Sequence, residues 1–396
     1  MSASNKDYIV FGRPKISEEE IAAITATLHT GWIGSGPRVR DWEAAFAAYQ
    51  GVPHATAVSS CTAALMLTMK AYGIGPGDEV ITTAMTFAAT VNAIIQTGAT
   101  PVIVDMDSRT CCIDLDQAEA AITSRTRAII PVHFAGYPVD MDRLMKIRER
   151  AGVKIIHDCA HAIETKWRGR RIAQYGDATC YSFYSTKNIT TIEGGMICSK
   201  DLTMLEQAKL MSYQGLSKDA WKRFSGAGYM HYDISAPGWK LGSTDVQASL
   251  GLLQLAKIEE RAKKREVLWE RFQNAFQDLP IVRPPNVQAP HLHGYHLYTI
   301  QLDSAECGVT RDEMITELHQ RGIGTGVHYQ AIPLLSYFRE TFGWKAENFP
   351  NALHYGQRTL SIPFTPYLSE EDVERVVSSI REVIEAAISR DTKRAA

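Results

Sequence analysis

Short apolar runs rich in β-branched residues alternate with longer stretches of helical periodicity through the first half of the chain. Residues 55–58, 79–82, 101–104, 128–132, 154–157, 178–184 and 195–198 read as strands. Residues 62–72, 88–97, 115–122 and 141–151 read as helices between them. Ahead of the first strand, Ser17 and Glu20 make a capping box for a helix reaching about Leu28, and a second helix covers 39–49. Strands that alternate with helices give βαβ units and a mostly parallel sheet, whose ligand belongs outside the carboxyl ends of the strands. Residues 215–241 break the pattern and read as a long functional loop. A long helix is expected from Thr244 to about Phe276, a connector into a second unit after the proline-rich stretch 279–290. There, strands 295–302, 326–329 and 360–362 mix with helices 311–321, 334–342 and 369–388. The predicted organisation is an extended arm over 1–14, a large domain over 15–278, a smaller α+β domain over 279–390 and a disordered tail over 391–396.

Composition narrows the class. The 396 residues carry a net charge of -2, with 45% hydrophobic and 22% charged residues, so neither nucleic acid nor a membrane surface is suggested as a partner. No apolar stretch is long enough for a membrane span and no signal peptide is visible. Seven cysteines without a C-x-x-C pair fit a reduced, cytoplasmic compartment.

The candidate chemistry centres on residues 181–195, YSFYSTKNITTIEGG. A single lysine, Lys187, sits in a polar turn between an aromatic strand and a glycine pair. Most lysines are solvated and inert; one boxed in this way is a candidate amine for imine formation with a carbonyl. Ser59-Ser60-Cys61-Thr62 lies between a strand and a helix, where free N–H groups and hydroxyls bind phosphate, although an ordinary N-cap has the same look. Ser182 offers another hydroxyl. Asp158 ends an apolar strand and can pair with a buried cation such as a protonated pyridine nitrogen. Phe87 follows a strand end and can stack on a flat ring or fill the core. A rival reading makes His157, Cys159 and His161 a metal site, which requires the strand to continue past Asp158. The glycines at 73–77 and 322–326 read as turns rather than nucleotide fingerprints.

Taken with GWIGSGP at Gly31, SSCTAAL at Ser59, PVHFAGYPVDMD at Pro131, HDCAHAIET at His157, PGWKLGSTDVQ at Pro237, GIGTGVHY at Gly322 and LSIPFTP at Leu360, the chain resembles the DegT/DnrJ/StrS family of pyridoxal-phosphate (PLP) sugar aminotransferases along nearly its whole length. The resemblance implies an α/β chain of PLP-dependent fold type I, aspartate-aminotransferase-like, with a mostly parallel seven-stranded sheet, working as a homodimer with active sites at the interface. It implies that Lys187 binds PLP covalently and then carries the proton between Cα and C4′. It places Asp158 on the pyridine nitrogen, Phe87 and His161 beside the ring, and Ser60, Cys61, Thr62 and Ser182 at the phosphate. His328, Trp32 and Lys240 are substrate candidates. The donor would be L-glutamate or glutamine and the acceptor a nucleotide-linked keto sugar. DCAHA with KNITTIEGG resembles the branch aminating C4; a 3-keto sugar or cyclitol is an alternative acceptor. A dehydratase of the same family would carry histidine at Lys187, and a non-catalytic sensor would not need the Lys187, Asp158 and Thr62 set. The family asparagine that reaches the partner subunit's PLP phosphate falls at Gly242, so that contact is either missing or replaced, with Ser243 a candidate substitute.

Overall fold

The structure, a computed structural model, describes residues 8–216 and 233–395. Residues 1–7 of the expected arm and 217–232 of the expected long loop lie outside the described residues. Twelve strands are described: β1 (His54–Val58), β2 (Glu79–Thr83), β3 (Thr100–Val104), β4 (Thr126–Ile130), β5 (Lys154–Asp158), β6 (Lys166–Trp167), β7 (Arg170–Arg171), β8 (Ala178–Ser182), β9 (Gly195–Ser199), β10 (Ile281–Val282), β11 (Tyr298–Leu302) and β12 (Thr359–Ile362). Seven form one sheet in the order β1-β9-β8-β5-β4-β2-β3, in which only β9 runs antiparallel to its neighbours. The seven-stranded, mostly parallel α/β sheet is the one expected. Its strands are buried on both faces, as helix-covered parallel strands must be, which explains why they read as continuous apolar runs.

Helix Cys61–Ala71 packs with Ala88–Thr97 and Leu202–Ser212 on one face, around Leu65, Leu67, Met69, Ile94 and Leu205. On the other face Trp42, Phe46, Tyr181 and Phe183 interlock edge to face, with ring centroids 5.0–5.3 Å apart. A separate core joins the antiparallel sheet β10-β11-β12 to the last helix through Trp269, Phe272, Tyr298 and Ile380. Residues Tyr8–Val10 dock on that unit: Ile9 N–H donates to the Gly322 carbonyl (2.8 Å), and the Ile9 carbonyl accepts from Gly324 N–H (2.8 Å).

Several expectations change. The long helix is two, Asp245–Ala256 and Ile258–Ala275, interrupted at Lys257 (φ -105°, ψ 4°). Residues 326–329 make no strand: only Gly326 forms a bridge, to Ser361. The final helix continues from Glu370 to Ala395, through the stretch expected as a disordered tail. Helices Leu202–Ser212 and Pro350–Arg358 were not read from the sequence, although Asp201 caps the first and Pro350 opens the second.

Candidate active site

The carboxyl ends of β1, β5 and β8 bring the candidate residues to one rim of the sheet. β5 stops at Asp158, which is 6% exposed. Its Oδ2 accepts from the Thr90 hydroxyl at 2.8 Å, and its Oδ1 accepts from Ala160 N–H at 3.0 Å and faces the Cys61 thiol at 3.8 Å. Burial pushes its pKa up, and these donors together with Lys187 pull against the shift. Lys187 follows β8, its N–H closing a turn on the Tyr184 carbonyl (3.0 Å). Desolvation brings its ammonium down to about 8, with Asp158 and then Cys61 opposing, so close to neutral pH a usable fraction of the amine is unprotonated and nucleophilic.

Beside them, β1 turns into helix Cys61–Ala71. The Ser60 hydroxyl accepts from Ala63 N–H (3.1 Å), so this oxygen is engaged as the N-cap, the ordinary role weighed from the sequence. Cys61 and Thr62 open the helix, where N–H groups lack intrahelical acceptors and the dipole favours an anion. β9 begins at the same rim: Gly195 lies between Val58 and Ser182, and a Cβ there would come within 2.4 Å of the Ser60 carbonyl. Glycine therefore lets the turn close onto the strand ends next to Ser182.

Phe87 is the N-cap of helix Ala88–Thr97 and is 61% exposed, which removes the core reading. Its ring lies 5.7 Å from that of Tyr329. His161 is buried and held neutral, first by desolvation and then by Lys187. Its Nδ1 accepts from Ala135 N–H (3.2 Å), so Nε2 carries the proton and donates to the Tyr329 hydroxyl at 3.0 Å. The metal reading fails. β5 ends before the alternation can align the three side chains, and His157 Nδ1 turns to His133 Nε2 (3.2 Å). Among the described residues no group of three metal-binding side chains occurs.

The substrate candidates are more scattered. His328 Nδ1 pairs with the Ser361 hydroxyl (2.8 Å), and burial and Lys187 lower it to about 4. Trp32 is 45% exposed and donates to the Ser35 carbonyl (3.3 Å). Lys240 stands over the Tyr213 ring at 5.3 Å. Gly242 pairs with Val58, beside the phosphate-type turn, and the position a side chain would take there is filled by the Tyr213 ring, 2.2 Å from an added Cβ. The Tyr213 ring thus takes the space beside Gly242. Ser243 is buried, its hydroxyl facing Gln247 at 3.4 Å. Sequence reasoning also missed Thr90, Tyr329, Glu164 and Arg265. Glu164 stands in the HDCAHAIET stretch and Tyr329 closes GIGTGVHY, yet nothing local in either says which side chain it meets; Thr90 and Arg265 reach the site from helices Ala88–Thr97 and Ile258–Ala275.

A buried carboxylate, a lysine of lowered pKa, an exposed aromatic ring and a helix N-terminus meet at one rim. These residues fit a flat cofactor with an anionic phosphate at one end and a basic ring nitrogen at the other. The fold and site define an aminotransferase-type PLP enzyme. Residues 14–381 match the DegT/DnrJ/EryC1/StrS aminotransferase family, and the chain belongs to it. It is 44% identical to the spore coat polysaccharide biosynthesis protein SpsC of Bacillus subtilis over 388 residues, 98% of this chain and 100% of that protein. Among solved structures it resembles the "Putative sugar aminotransferase Spr1654" of Streptococcus pneumoniae in its PMP form, with TM-score 0.90, 33% identity, and 96% of this chain and 100% of that chain covered. That protein is also solved in a PLP form. The aminotransferase TlmJ of Streptoalloteichus hindustanus matches with TM-score 0.87 and 31% identity over 96% of this chain and 99% of that chain. The chain is thus an aminotransferase of a PLP-dependent family whose solved neighbours include sugar aminotransferases. No helix among the described residues is long and apolar enough to cross a membrane.

Proposed function

We propose that this enzyme moves the amino group of L-glutamate to the C4 ketone of a nucleotide-linked sugar, forming 2-oxoglutarate and an amino sugar. The observation that carries the reading is the Lys187 amine, brought down to about 8 and facing the buried Asp158 carboxylate. Bound PLP supplies an electron-withdrawing ring that acidifies the Cα–H of an attached amine. Lys187 anchors the cofactor and then takes and returns that proton at Nζ. Asp158, fixed by Thr90 and Ala160, holds the ring nitrogen protonated through its negative charge. Phe87 covers a ring face and His161 lies alongside. Thr62, Ser182 and the Cys61 N–H hold the phosphate; Ser60 shapes that turn as its N-cap. His328, Trp32 and Lys240 are assigned to substrate, His328 through its interaction with Lys187.

The C4 assignment is supported by DCAHA at Asp158 and KNITTIEGG at Lys187, and a sugar acceptor by the names of SpsC and Spr1654. Tyr184 and Ile192 flank Lys187 and are 47% and 60% exposed, an apolar rim that a homodimer would cover. The seven cysteines are all unpaired and buried, which suits a reducing compartment such as the cytoplasm.

The test is to load the protein with PLP and add L-glutamate without acceptor. One equivalent of 2-oxoglutarate per site is expected, none from Lys187→Ala, and continued turnover on adding a nucleotide-linked 4-keto sugar. Turnover only with a 3-keto sugar or cyclitol would move the acceptor. No 2-oxo acid from either L-glutamate or glutamine with fully PLP-loaded protein would leave a non-catalytic sensor.

A further inference from the structure

Behind the lysine loop lies a polar cluster that the aminotransfer reading does not use. Asn188 directly follows Lys187, and its Nδ2 donates to Glu164 Oε1 (3.0 Å), Glu164 Oε2 (2.9 Å) and the Gly294 carbonyl (2.8 Å). A carboxylate and a carbonyl only accept, so the orientation of the Asn188 amide is fixed. Its Oδ1 therefore faces His296 Nδ1, at 3.0 Å. An amide oxygen also only accepts, so Nδ1 of His296 carries the proton. Desolvation, then Lys187 and His328, keep this ring neutral, which leaves Nε2 bare. The His296 ring lies 4.4 Å from that of His161 and lines the cleft that contains Lys187. Arg265 completes the cluster: it donates to Glu164 (3.1 Å) and to the Asn188 carbonyl (3.3 Å). Glu164 is 1%, Arg265 4%, His296 6% and Asn188 7% exposed.

A buried ion pair of this kind adds little net stability over an apolar pair of the same volume, and its best-attested use is to specify one arrangement. We propose that Glu164 is a positioning residue: through Asn188 it fixes the Lys187 turn and the Nδ1-protonated tautomer of His296, which presents Nε2 as an acceptor beside the lysine. The proposal rests on Lys187 being the working amine. Besides His296, the groups acting on that amine are Asp158 at the end of β5, Cys61 at the head of its helix, His161 beyond β5, and His328. None of these side chains bonds the Asn188 amide group, so loosening Asn188 changes the solvation of Lys187 without removing any of them.

Two measurements test it. In the full-length apoprotein, acylation of Lys187 is followed against pH by peptide mass spectrometry, for wild type, Glu164→Gln and Asn188→Ala. The wild-type midpoint is expected near 8, and both variants are expected to rise by at least half a unit toward that of a free lysine. A folded Asn188→Ala with an unchanged midpoint overturns the positioning role. This variant keeps the Glu164–Arg265 pair, so it decides the matter if Glu164→Gln does not fold. In the wild-type holoenzyme, ¹⁵N-histidine NMR, with His296 assigned by its loss in His296→Asn, is expected to show a neutral Nδ1–H ring at pH 7. An Nε2–H ring overturns the network whatever the variants do. If these results hold and no 2-oxo acid forms from either glutamate or glutamine, the aminotransfer reading fails and the positioning role stands.

Discussion

At the scale of single residues, Asp158 and Lys187 modify each other. Asp158 takes Ala160 N–H on Oδ1 and the Thr90 hydroxyl on Oδ2; an asparagine oxygen can keep the first, and the hydroxyl can turn to accept from the amide NH2. Asp158→Asn should therefore fold with a melting temperature within a few degrees of wild type. It should lose at least about 100-fold in kcat, because a neutral partner no longer holds a ring nitrogen protonated. The same change removes the charge that raises Lys187, so the apoprotein amine should titrate below its present value of about 8. Retained activity in a folded Asp158→Asn would mean that the carboxylate has no part in the chemistry. A Lys187 midpoint that rises would mean that the two groups do not face each other.

At the scale of elements, the site depends on a helix capped from far along the chain. Helix Pro37–Gln50 starts at Gly36, which has no side chain to cap it. Asp245, the first residue of another helix and 1% exposed, instead accepts from Gly36 N–H (2.8 Å), Val39 N–H (3.0 Å) and Arg38 N–H (3.2 Å). A carboxylate at a helix N-terminus both satisfies orphan donors and matches the dipole. Asp245→Ala should cost about 2 kcal/mol, the upper end for a lost cap, measured by denaturant unfolding with an unchanged m-value. A loss below about 0.5 kcal/mol would show that water replaces the carboxylate.

At the scale of the whole molecule, buried neutral histidines set the response to acid. Burial holds His157 and His293 at about 3, and His133, His161 and His296 well below the ordinary value. A histidine lowered in the fold is protonated first in the unfolded chain. Between the folded value and 6.5 the unfolded state binds more protons, so stability rises with pH there and is complete above 6.5. Each such histidine contributes a slope of about 1.4 kcal/mol per pH unit. Together the five should lower the melting temperature by roughly 8 °C per unit as the pH drops from 6.5 to 4. A flat profile over that range would mean that these rings are already charged, or exposed, in the folded protein.

Local spacing alone determined the alternation of strands and helices, the lysine turn at Lys187, the hydroxyl turn at Ser60–Thr62 and the strand-ending Asp158. Each rests on neighbours within a few residues: a two-residue period, a strand-to-helix switch, a glycine pair. The same limit explains the misreadings. Periodicity runs across Lys257, where a non-helical ψ splits one predicted helix into two. Residues 326–329 have strand composition, yet only Gly326 finds a partner. The tertiary structure alone decided that Thr90 serves Asp158, that the Tyr329 hydroxyl accepts a hydrogen bond from His161, that Tyr213 fills the space beside Gly242, and that Glu164 holds Asn188. These are contacts between residues distant in sequence, made because a buried polar group must find its partner wherever the packed chain supplies one. No local pattern specifies that partner in advance.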